Sequence, residues 1–154
     1  MFDVDSLVNQ TVTAAGDTQR LQVPDGDWPI LFEEIKIQER QHPAINDGKP
    51  FPEFRYKVLV DSQEVRDALK RDKVVHSGNF ILDTTTVNGQ TVLDMSAGMN
   101  VNLNQLRDAL GMNNEGQEFK ISMLNGGFCM ATFRQKPTKD GGLASNITKF
   151  FKRG

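Results

Sequence analysis

Apolar and polar residues alternate with a period of two along several short stretches of this chain, and with a helical period along only two. Ile30 and Phe32 share one parity, and Ile35 and Ile37 share the other. A strand over Trp28–Glu39 keeps all four on one face only if an extra residue near Glu33 and Glu34 resets the alternation. A long first strand bent in this way lets a small barrel close. Phe54, Tyr56, Val58 and Val60 alternate with Arg55, Lys57 and Leu59 and predict a second strand. A third is expected over Asn79–Thr86. Asn88 and Gly89, a pair that suits the type I′ hairpin, then turn the chain into a short return over Thr91–Leu93. Phe119, Ile121 and Met123 read as a fourth strand. Phe128–Gln135, with Cys129, Ala131 and Phe133 on one face, reads as a fifth, and Leu143–Phe151 as the last.

Two segments follow the helical period. Glu64–Arg71 is a short helix with Ser62 as its N-cap and Lys70 and Arg71 at the C-terminal end, where the helix dipole favours cations. Over Asn102–Leu110 the stripe is Leu103, Leu106 and Leu110. Asn102 is expected as the cap, Gln105 stands three residues later as in a capping box, and Gly111 is the stop. So short a helix must lie on a core.

The remaining segments are irregular. Residues 1–20 are polar with dispersed Phe2, Val4, Leu7, Val8 and Val12, and predict an arm with one helical turn near Asp5–Val8. Pro24, Asp25 and Gly26 form a turn. Gln41–Pro52 is a proline-interrupted loop, Met95–Met99 is loop, and Lys136–Gly142 is a polar loop. The chain is therefore expected to be an N-terminal arm, 1–20, followed by one domain, 21–154. That domain is mainly β, an OB-like five-stranded barrel with one short helix between strands 3 and 4.

Composition adds limits. In 154 residues, 38% are hydrophobic, and ten phenylalanines supply an aromatic-rich core. No apolar run approaches the length of a membrane helix, and the acidic first residues do not resemble a secretion signal, so a cytoplasmic protein is expected. Cys129 is the sole cysteine and reads as a core residue. His42 and His76 are the only histidines and lack metal-ligand spacing. Asp3 and Asp5, like Asp25 and Asp27, lack further oxygen ligands. No phosphate-binding loop and no nucleophile elbow occurs. No enzyme, metal or cofactor is expected.

The charge balance is uneven. The net charge is −2, yet from Gln117 onward there are seven bases and two acids, against eleven bases and eighteen acids before it. Such asymmetry marks either a surface facing nucleic acid or a membrane, or signs that merely segregate along the chain. On the predicted strands Lys36 and Arg40 belong to the first, Arg55 and Lys57 share a face of the second, and Arg134 and Lys136 share a face of the fifth, with Lys139 in the loop beyond. Three neighbouring elements are thus expected to line one basic groove that tracks phosphates. Trp28 and Tyr56, with Phe51 in the proline-interrupted loop, are the candidates for stacking on bases, against packing roles for Trp28 at the rim and Tyr56 in the core. Phe150 and Phe151, flanked by lysines, are open between packing, docking and stacking.

The run from Asn102 to Gly111, the segment Gly116–Lys120 and the glycine-rich hairpin after it resemble phage-encoded single-stranded-DNA-binding proteins of the OB type. Gln117 stands where those proteins carry a basic residue, and the chain ends in a basic segment, Lys149–Gly154, rather than an acidic tail. The resemblance implies non-sequence-specific binding of single-stranded DNA in phage replication or recombination. It leaves open a homo-oligomer and docking of other replication or recombination proteins. A different reading also fits: a phage virion structural protein of the capsid-decoration type, with the N-terminal arm lying along a neighbour.

Overall fold

The computed structural model describes residues 2–16 and 20–153. Part of the expected arm, 17–19, and the terminal residues 1 and 154 lie outside the described residues.

Strand β1, Gly26–Arg40, is the longest element and organises the rest. Its C-terminal part pairs antiparallel with β2, Phe51–Val60, and its N-terminal part with a strand that comes much later in the chain, Phe128–Pro137. Between them in sequence lie α2 (Gln63–Leu69), β3 (Val75–Ile81), the hairpin β4 (Thr84–Val87) and β5 (Gln90–Leu93), and α3 (Val101–Ala109). The later strand is β6, and β7 spans Leu143–Phe151. A five-residue helix, α1, occupies Val4–Val8 with Asp3 as its cap. The result is one five-stranded antiparallel sheet in the order β3-β2-β1-β6-β7, with β4 and β5 forming a separate two-stranded sheet. Among the described residues no ladder joins β3 to β7, so the sheet is not closed.

The predicted bulge is present. The β1–β2 register slips between Phe32 and Glu34, which leaves Glu33 unmatched. Ile30 and Phe32 before it and Ile35 and Ile37 after it consequently face the same side. Ile30 and Phe32 are fully buried there beside Phe54, Val58 and Val60 of β2. Cys129, Ala131 and Phe133 of β6 and Phe150 of β7 complete this inner face, and Leu103 and Leu106 of α3 cover it. Fully burying side chains of this size contributes about 1.5–3 kcal/mol each, so the inner face accounts for the cohesion of the sheet.

Four sequence expectations differ from the fold. The strand expected at Phe119–Met123 is a 3-10 turn over Ile121–Leu124. Ile121 and Leu124 pack on the core three residues apart while Met123 is exposed, which is the spacing of a turn. The strand expected at Asn79–Thr86 is two: β3 begins earlier, and the chain breaks at Leu82 and Asp83. The break is held by Asn100, whose side-chain amide donates to the carbonyls of Asp83 and Asp94 at 2.9 Å each while its oxygen accepts from the Asp83 amide at 2.8 Å. The Asn100 amide in turn donates to the Asp83 carboxylate at 2.7 Å. Asn100, not Asn102, precedes the first turn of α3, and its side chain is spent on this clamp rather than on capping. Finally, β6 runs on to Pro137, which shortens the expected polar loop. The caps at the other helix behave as expected, with Ser62 Oγ accepting from the Val65 amide at 3.3 Å.

Tyr56 lies against Gly78 of its partner strand, and a methyl group there would collide with the phenol ring and hydroxyl. The ring has no room to withdraw, since it packs edge-on against Phe32 and Phe150 at 5.8 Å each. Gly78→Ala is therefore expected to lower stability by ~1–3 kcal/mol, as overpacking does. Urea unfolding of the variant against the wild type measures it.

Candidate nucleic-acid interface

The residues of β1 and β2 that do not face the core form an outer surface whose rows follow from the register. Lys36 lies beside Arg55, which lies beside Asn79. Glu34 lies beside Lys57, which lies beside Ser77. A shallow cleft of about 380 Å³ opens here, lined by Glu34, Lys36, Arg55, Lys57, Ser77 and Asn79. The alternation that buries Phe54, Tyr56 and Val58 also places Arg55 and Lys57 together on the solvent side.

The cations in this cleft are held by two carboxylates. Glu34 accepts from Lys36 at 2.9 Å and lies 3.6 Å from Lys57. The hydrogen bond and charge of Lys36, followed by the charge of Lys57, hold its carboxyl below the usual range. Glu53 is only 3% exposed although it is on the outer face. Arg40 pairs closely with it, and Arg55 approaches it at 3.5 Å while also donating to Gln38 Oε1 at 3.3 Å. A buried carboxylate beneath two guanidinium groups fixes where those groups point. The cleft retains a surplus of cations over carboxylates, with the ammonium groups of Lys36 and Lys57 open to solvent.

Lys36, Arg40, Arg55 and Lys57 are thus brought together as expected, and Arg134, Lys136 and Lys139 are not. Gly26 at the start of β1 pairs with Phe133, so Arg134 and Lys136 lie beyond the opposite end of β1 from Lys36. At ~3.3 Å per residue the two groups are separated by roughly 30 Å along the strand. Lys139 sits still farther away, in the turn closed by the Thr138 and Gly142 backbone. The single three-element groove expected from the sequence is therefore two separate basic surfaces.

No stacking candidate is presented to solvent as a platform, and Phe51 is buried at the start of β2. Tyr56 is a core residue, 6% exposed, and burial raises the pKa of its hydroxyl. Trp28 is half-buried. Its indole N–H donates to the Pro24 carbonyl at 2.9 Å, and its ring lies across Gly26, where a side chain would collide with it. Two other rings, Phe128 and Phe151, are on the outer face instead. Phe128 lies opposite Leu31, and Phe151 opposite Met130. Both rings are half-buried. The signal was available for Phe128, whose parity is opposite to that of Cys129, Ala131 and Phe133.

No group of metal-ligating side chains occurs among the described residues, and no helix among them is long and apolar enough to cross a membrane. Cys129 is fully buried, and desolvation pushes its thiol up to about 12. Compared with models of known protein families the chain matches none, and no curated protein matches it in sequence.

His76 faces the inner side beside Val58, edge-on to the Phe133 ring at 5.1 Å, and desolvation lowers its pKa below the usual 6.5. The unfolded chain takes up this proton at a higher pH than the folded one does. The neutral imidazole's contribution to stability is thus complete above about pH 6.5 and is lost as the pH falls from there toward the depressed value. His76→Phe keeps an aromatic ring and removes the proton. The decline in unfolding free energy between pH 7 and 5 is expected to be shallower for the variant, measured by urea denaturation across that range.

Proposed function

We propose that the protein binds single-stranded DNA without sequence preference, in phage replication or recombination, and is not an enzyme. The observation that carries the reading is the cationic cleft on β1, β2 and β3, where Lys36, Arg55 and Lys57 share one outer surface with the polar side chains of Ser77 and Asn79. The strand order supports it. A sheet ordered β3-β2-β1-β6-β7, with α3 between β3 and β6 in the chain, is what an OB-like barrel becomes when it is parted between its third and last strands. The second and third strands of such a barrel are a recurrent site for oligonucleotides. Phosphates would displace Glu34 from Lys36 and Lys57 at small cost, because solvent-exposed ion pairs contribute little. Arg55 and Arg40, held on Glu53, supply fixed charge.

A second reading is favoured by one observation. Every described residue of the arm, 2–16, is exposed, including Phe2 at 73% and Val8 at 75%. An arm with unburied apolar positions also suits a virion structural protein that lies along its neighbours. Stoichiometric recovery of the protein in intact, washed particles is what that reading requires.

The DNA reading is tested by the anisotropy of labelled oligo-dT at two salt concentrations. Wild-type binding is expected to weaken steeply as salt rises, through counterion release. Arg55→Ala with Lys57→Ala is expected to weaken binding about tenfold or more at low salt and to flatten the salt dependence by roughly two phosphate contacts. Glu34→Gln, which frees Lys36 and Lys57, is expected to tighten it. Absence of binding by the wild type at low salt sinks the reading.

A further inference from the structure

The basic surplus of the C-terminal third has a place of its own, away from the cleft. The outer face of the β6–β7 ribbon carries Arg134 and Lys136 on one strand and Lys149 on the other. Met130 lies between Phe128 on its own strand and Phe151 across the ladder. This puts the two phenylalanines in diagonal register, a separation at which aromatic side chains still reach one another. Each ring has a cation over one of its faces, which leaves the opposite face as the one that could take a base. The Arg153 guanidinium lies 4.7 Å from the Phe128 centroid, and the Lys149 ammonium 5.7 Å from that of Phe151. Among the described residues none of these four cations has an ion-pair partner, whereas each of the four in the cleft does. Two acids reach this ribbon without pairing with its cations: Asp27 accepts from the Thr132 hydroxyl at 2.6 Å, and Asp25 from the Gln135 amide at 2.7 Å.

We propose that this ribbon face is a second DNA-contacting surface, on which Phe128 and Phe151 stack with bases while Lys149 and Arg153 hold the adjoining phosphates. The proposal rests on the single-stranded-DNA reading and extends it. Unpaired cations alternating with half-exposed rings match what a single strand offers, a polyanion with a flat π-face at every unit. A purely apolar partner would leave the cations desolvated and unmatched. The cleft supplies charge without an exposed ring, and the ribbon supplies both. Arg134 and Lys136, farther along the same ribbon, extend the phosphate path toward the β6–β7 turn.

The experiment compares oligo-dT with an abasic deoxyribose-phosphate oligomer of the same length, on wild type and on Phe128→Leu with Phe151→Leu. Leucine keeps the apolar cover and removes the π-face. Wild type is expected to prefer oligo-dT, and the double variant to lose on the order of 10- to 100-fold in oligo-dT affinity with an unchanged salt slope. Unchanged affinity in the double variant overturns the platform and leaves the cleft reading standing. No binding by wild type overturns both. A second measurement covers the case in which the leucines disturb the fold. Phe151→Trp adds a reporter, and the fluorescence it adds over wild type is expected to be quenched by saturating oligo-dT. An unquenched signal overturns the proposal. So does a double variant that binds DNA normally but sediments as a smaller species, since the patch then joins two copies of the chain.

Discussion

The extra residue at Glu33 is the constraint on which the rest of the structure depends. A strand of fifteen residues with strict alternation would expose either Ile30 and Phe32 or Ile35 and Ile37 on the outer face. The bulge turns the second pair back toward the core and adds local twist where β1 changes partners, from β6 to β2. The β6 ladder ends at Leu31, before the bulge, so the irregularity acts on the pairing with β2. It fixes Lys36 beside Arg55 and Glu34 beside Lys57, just beyond the Leu31–Phe128 pair at which the β6 ladder ends.

What was legible in the sequence was what period and parity encode. The bulge, the second strand and the last two strands follow from alternation, because each has one face buried and a register slip would move every side chain to the wrong face. The Ser62 cap follows from local hydrogen bonding. What was not legible depended on partners distant in the chain. Nothing local to Asn100 says that its amide will tie Asp83 to Asp94, yet that clamp ends β3 and starts the separate hairpin. Phe119 and Ile121 look like a strand by spacing alone. In the fold Phe119 lies under the Arg107 guanidinium at 4.4 Å and Ile121 begins a turn.

The candidate site divides in the same way. That Arg55 and Lys57 share a solvent face with each other was readable from two-residue spacing, and Lys36 joins them through the ladder. That Arg134 and Lys136 stand apart was not readable, because their distance from Lys36 is decided by which end of β1 receives β6. The carboxylates that organise the cleft were equally hidden. Glu53 occupies an outward position and is nonetheless buried, and Glu34 is aimed at the lysines only because Glu33 takes up the slack.

The two basic surfaces therefore differ in kind, and the difference bears on what each can do. In the cleft the cations are already neutralised in part, so an incoming phosphate exchanges one anion for another, and its gain is the difference between two similar attractions. On the ribbon no cation is ion-paired among the described residues, and under the proposed reading the rings would add an attraction that salt does not screen as it screens charge. Charge counted along the sequence, −7 before Gln117 and +5 after it, is silent on this point. What matters is that the acids of the larger segment include Glu34 and Glu53, which sit among its own bases, while the later segment has two acids, Glu118 and Asp140, neither on the ribbon's outer ladder. The surplus is thus concentrated where, among the described residues, no cation is ion-paired, Asp25 and Asp27 accepting instead from the Gln135 amide and the Thr132 hydroxyl. A single strand spanning both surfaces would be held by charge at the β1–β2 end and by stacking together with charge at the β6–β7 end.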